Sequence, residues 1–132
     1  MVRTTRLRSL AAAGVLFAVF VLGACGGGDD AGDADLSDLA LRGKQLAADT
    51  GCTACHGSDG GGGVGPGWVG LAGSTVTLED GSQVTADDAY LRRAITDPQA
   101  EIVEGYSVKM PEYPNLTDEE LDALVAYMTE LG

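Results

Sequence analysis

Leu10 to Leu22 is an unbroken apolar run, and no later segment of the chain repeats it. From Leu36 the pattern changes: Leu36, Leu39, Ala40, Gly43, Leu46 and Ala47 follow the spacing of one helical face, so an amphipathic helix should end near Gly51. Thr85 followed by Asp88 has the form of a capping box and predicts a helix from about Ala86 to Thr96, stopped by Asp97-Pro98. Ala89, Tyr90, Ala94 and Ile95 should face inward from it. A last helix opens at Thr117, with Glu120 three residues on. Its stripe is Leu121, Leu124, Val125, Met128 and Leu131, with Tyr127 at the edge. Such a stripe needs a partner, and the first helix suits it because Gly43 would let the two backbones approach beside Tyr127. Thr75 to Leu78, Asp80-Gly81 and Gln83 to Thr85 predict a short β-hairpin, Asp-Gly supplying the positive φ of a tight turn. The fold class expected is all-α, with three or more helices and a small hairpin insertion.

The first run is too short for a relaxed bilayer span of about 20 residues and follows Arg3, Arg6 and Arg8, as in an export signal. It ends in Leu22-Gly23-Ala24-Cys25, which resembles a bacterial lipobox, so residues 1–24 read as a signal peptide and Cys25 as the lipidation site. The alternative is a soluble export signal and an accidental thiol at Cys25. Gly26 to Asp35, GGGDDAGDAD, has no apolar residue larger than alanine and reads as a solvated tether. Residues 25–35 thus form the anchor and tether, and residues 36–132 one domain.

All 20 acidic residues follow Cys25, against five basic ones, an excess of fifteen negative charges. Nucleic acid is excluded as a natural partner, and basic patches on another protein become the expected docking target.

The chemistry concentrates in Cys52-Thr53-Ala54-Cys55-His56. Two cysteines separated by two residues can each add across one porphyrin vinyl group, and the next residue places an imidazole under the iron. A thioredoxin-like pair would need a βαβ setting, and a zinc site a fourth ligand that three cysteines and one histidine supply poorly. One covalent haem c is therefore expected, held by Cys52 and Cys55 with His56 on the metal. Because His56 is the only histidine, a methionine is the expected sixth ligand. Met110 lies in a proline-stiffened stretch, Val108 to Pro114, and is favoured over Met128, which falls on the last helix's apolar stripe. His56 needs an acceptor for its other ring proton, and the Pro66 carbonyl is the candidate. Trp68 should pack on the haem; Tyr106, Arg92 and Arg93 are candidates to bond a propionate. Gly57 to Gly67 holds seven glycines in eleven residues, a loop that only packing on a rigid object could order.

With those residues in view, Leu36 to Gly132 resembles a class I cytochrome c: a first helix with Gly43, CTACH, a glycine-proline segment, a Met-Pro loop, and a closing helix with Tyr127. The stretch from Gly65 to Tyr113 is similar to the cytochrome c domain fused to subunit II of some bacterial haem-copper oxidases, here without the copper-binding domain. The resemblance implies thioethers at Cys52 and Cys55, iron ligation by His56 and Met110, and the Pro66 contact. Two departures stand out: one extra residue between Gly43 and the first cysteine, and a negative surface where mitochondrial cytochromes c are basic.

The function expected is a monomeric electron carrier rather than an enzyme, exported and lipid-anchored on the outer face of the plasma membrane. It would take electrons from a quinol-oxidising complex and deliver them to a terminal oxidase. A fixed haem c subunit of a larger oxidoreductase, or a haem-based sensor or peroxidase, are the alternatives.

Overall fold

The computed structural model describes residues 33–132; the expected signal peptide, Cys25 and the start of the expected tether lie outside them. Asp33–Asp35, the end of the expected tether, form a single 3-10 turn, and Asp33 pairs with Lys44. Four helices follow in chain order, α1 (Asp38–Asp49), α2 (Thr53–His56), α3 (Asp88–Thr96) and α4 (Asp118–Glu130), with strands β1 (Thr75–Thr77) and β2 (Gln83–Thr85) between α2 and α3.

The core is built where α1 crosses α4. α1 buries Ala40, Gly43 and Ala47, small residues that bring its backbone against α4. A Cβ at Gly43 would lie 1.9 Å from the Ala123 carbonyl oxygen and 2.9 Å from Tyr127 Cβ, so only glycine fits there. Leu39, at the flank of this face, is exposed, unlike the expected stripe, because the close approach to α4 is made through the small residues Ala40, Gly43 and Ala47. α4 buries Leu121, Leu124, Val125 and Met128, and Tyr127 lies within the core rather than at its edge, 1% exposed. The Thr117–Glu120 capping box is formed in both directions.

α3 starts later than its expected boundary. Its cap is Asp87, whose carboxylate accepts from Tyr90 N at 2.8 Å, and Thr85 is instead the last residue of β2. The inward face shifts accordingly: Leu91 is buried with Tyr90 and Ile95, while Ala89 is exposed. Periodicity over a short helix is too weak to resolve neighbouring positions.

β1 and β2 pair antiparallel in the register Thr75↔Thr85, Val76↔Val84, Thr77↔Gln83. The turn reverses at Gly81, φ 81°, and closes with Leu78 N donating to Ser82 O at 2.9 Å. A segment distant in sequence docks on the hairpin: Leu78 bridges Val103, Glu79 N donates to Ile102 O at 2.8 Å, and Glu104 N to Thr77 O at 3.0 Å. The hairpin thereby anchors the start of the loop that carries Met110.

The two chain ends of the domain are clasped. The Glu130 carboxylate accepts from both Ser37 N and Ser37 Oγ, each at 2.7 Å, while Ser37 also caps α1. These bonds hold the Glu130 carboxyl below its ordinary value of 4.5. A depressed carboxylate stabilises the fold above its unfolded pKa and loses that contribution as pH falls through the folded one. Glu130→Gln should therefore lower the thermal midpoint modestly at neutral pH. The difference from wild type should shrink as pH drops below 4.5, measured by circular dichroism melts across a pH series.

Candidate functional site

α1 delivers the chain to the chemical centre. Its last turn closes on Thr50, Gly51 reverses the backbone at φ 81°, and Cys52 N returns to Ala47 O at 2.9 Å. α2 is a single turn in which Cys55 N and His56 N both donate to Cys52 O, at 3.2 and 3.1 Å. The two cysteines are unpaired and half-buried; His56 is buried.

The glycine-rich loop then folds back over this turn. Gly62 N donates to His56 O at 2.8 Å and Gly65 N to Cys55 O at 3.0 Å. These bonds bring the Pro66 carbonyl to 2.7 Å from His56 Nδ1. A carbonyl oxygen can only accept, so Nδ1 carries a proton and, in the neutral ring, Nε2 keeps the lone pair. That tautomer is the one a metal-binding imidazole requires. Trp68 stacks on the His56 ring, centroids 4.7 Å apart and planes 20° apart.

Cys52, Cys55, His56, Pro66 and Trp68 all line a mostly apolar cavity of about 1020 Å³, and so do Tyr106, Met110 and Tyr113. Leu91, Ile95, Leu124, Tyr127 and Met128 complete its apolar wall. Ordinary small-molecule sites measure roughly 300–1,000 Å³, so this one has room for a large, mostly apolar group. Two cysteine thiols and the His56 imidazole border it, the groups that covalent attachment and iron ligation of a haem demand.

Both methionines of the domain border the cavity, in different settings. Met128 belongs to α4 and is buried in its stripe. Met110 is half-buried in a non-helical stretch, its carbonyl accepting from Gln99 Nε2 at 3.0 Å. Gln99 escaped the sequence reading because nothing in a residue after Asp97-Pro98 announces a contact eleven positions on. Its Oε1 is buried without a partner among the described residues, leaving an acceptor beside the site for a donor from a bound group or water. Tyr113 was also missed: its hydroxyl reaches Thr50 O at 3.5 Å, and burial, with the nearby Cys52 and Cys55, pushes its phenol above the usual value.

The expected propionate partners separate. Tyr106 reaches the cavity, but Arg92 and Arg93 do not line it. Arg92 is committed to Asp122 and Asp88, joining α3 to α4, and these bonds raise its pKa further. Arg93 pairs with Glu101 at 3.1 Å. Carboxylates within reach satisfied both guanidiniums first.

The family profile described as cytochrome c matches residues 40–132. The chain belongs to the cytochrome c family. Covalent haem c is the family's cofactor, and CTACH, within the matched residues, is its attachment stretch. The family's role is haem-based electron transfer, and the small helical fold with its two-stranded sheet is of the same kind. Comparison with the curated proteins returns no match.

Proposed function

We propose that this cytochrome c is a membrane-anchored, monohaem carrier of single electrons in a respiratory chain. Its donor would be a quinol-oxidising complex and its acceptor a terminal oxidase. The observation that carries the reading is one cavity lined by Cys52, Cys55, Met110 and a His56 whose Nδ1 lies 2.7 Å from the Pro66 carbonyl.

Bound haem supplies a reversible one-electron change at iron. Cys52 and Cys55 would hold the porphyrin as thioethers, and the Pro66 bond to Nδ1 leaves Nε2 of His56 as the donor for the metal. Met110 would offer its thioether to the iron, and Gln99 steadies the Met110 backbone by donating to its carbonyl. With His56 and Met110 both holding the iron, no place would be left for an external ligand and electrons would pass to docked proteins, the behaviour of a carrier rather than an oxygen-binding haem protein.

The LGAC sequence at Cys25 supports lipid anchoring on the outer face of the plasma membrane. Among the described residues, no helix is long and apolar enough to cross a membrane. The fifteen-charge acidic excess after Cys25 supports partners with basic faces, and association should slow as ionic strength rises.

Met110→Ala should abolish the weak far-red sulfur-to-iron band of the oxidised protein, lower the reduction potential and let carbon monoxide bind the reduced form. The reading fails if Met128→Ala does this instead. Mass spectrometry of the mature N-terminus checks Cys25. A pull-down from detergent-solubilised membranes identifies the respiratory complex; recovery in stoichiometric union with other chains at high salt would make the protein a fixed subunit.

A further inference from the structure

A histidine side chain turns about two bonds, and the second, joining a tetrahedral carbon to a planar ring, has a broad energy well. The Nδ1–Pro66 bond narrows that well, yet a hydrogen bond tolerates angular departures of about 30° with little loss. His56 would therefore rock about its anchor if nothing met the face of its ring.

Trp68 meets that face. The indole is itself immobilised: it is 6% exposed, its backbone N donates to Gly60 O at 2.7 Å, and Tyr127 of α4 packs edge-on to it, centroids 5.9 Å apart at 77°. Tyr127 is fixed in turn by the α1–α4 crossing at Gly43. Gly65 leaves the ring the room it has. A Cβ there would stand 2.8 Å from His56 Cε1 and 3.1 Å from each ring nitrogen, over the plane of the imidazole.

We propose that Trp68 is a positioning residue for His56, fixing the plane of the imidazole rather than serving the haem face alone. The inference rests on the ligand role given above to His56. Its consequence is electronic: the imidazole plane selects which iron d orbital mixes with the porphyrin, and hence how unpaired spin spreads over the four haem methyl groups of the ferric protein.

The test is proton NMR of the oxidised holoprotein. Wild type should show a strongly upfield methionine methyl and four separate haem methyl resonances whose shifts vary linearly with inverse temperature, as a fixed ring requires. Trp68→Leu keeps an apolar filling but has no flat face, and should lose the wild-type order of the methyl shifts and acquire curved temperature plots. Trp68→Phe, which restores an aromatic face, should recover the order. Val125→Ala, in the core but away from the cavity lining, should lower stability with the methyl pattern unchanged. Retention of the wild-type pattern in Trp68→Leu, or the same disturbance in Val125→Ala, overturns the inference alone. So do curved plots in the wild-type protein, a result that does not depend on any variant folding. A wild-type protein without the upfield methionine signal overturns the axial assignment and this inference together.

Discussion

Gly43→Ala should destabilise the holoprotein by about 2 kcal/mol or more, lowering its thermal midpoint by about 10 °C, and it should do so although alanine is the better helix former. In a solvent-facing turn of α1 the same change would stabilise by about 1 kcal/mol through helix propensity. Here the new methyl group would meet the Ala123 carbonyl oxygen at 1.9 Å and Tyr127 Cβ at 2.9 Å, distances that backbone atoms cannot relieve by rotating a side chain. The helices must part instead, and every contact along the Ala40, Ala47, Leu124 and Tyr127 interface loosens with them. Tyr127 also braces Trp68, so disturbance should reach the imidazole. Melts followed both at the haem absorbance and by far-ultraviolet circular dichroism check this. An unchanged or raised midpoint would show that the crossing is looser than its geometry requires.

The double replacement Cys52→Ser, Cys55→Ser should abolish covalent haem entirely. Serine keeps the size of cysteine but its hydroxyl does not add to a vinyl group, so acidified acetone should extract all pigment and the polypeptide mass should match the bare chain. Loss of the group should also cost most of the fold. A cavity of about 1020 Å³ lies between α3, α4 and the Met110 loop, and without its occupant its mostly apolar lining is open to water. A domain of this size buries only about 60–70% of its unfolded surface, leaving little reserve to offset that exposure. Far-ultraviolet ellipticity should fall sharply in the variant. Single replacements should keep one thioether and an intermediate stability. Covalent pigment in the double variant would refute attachment at these cysteines.

The two variants probe parts of the molecule that were legible to very different degrees. CTACH is local: one turn of chain holds both thiols and the imidazole, and short-range geometry alone puts them on one side of that turn. The α4 capping box and the close approach at Gly43 were also readable, since each rests on residues a few positions apart or on the absence of a side chain. The Pro66 acceptor was legible because His56 needed a fixed acceptor for its second ring proton and the glycine-proline segment resembles that of class I cytochromes c. Asp87 displaced Thr85 as the α3 cap because β2 claimed Thr85, a competition between elements that a window of sequence does not register.

By itself, then, the order of residues determined the haem chemistry, the acidic charge, the helical character and the helix pair that closes the domain. Tertiary structure alone decided that Trp68 lies against the imidazole, that Gln99 holds the Met110 carbonyl, that residues 102–104 brace the hairpin, and that Arg92 and Arg93 serve carboxylates instead of the cavity. The physical reason is range. Covalent spacing and backbone hydrogen bonding act over a few residues and leave a pattern in the chain, whereas packing and long-range ion pairing are chosen only after folding has brought distant side chains within a few ångströms of one another.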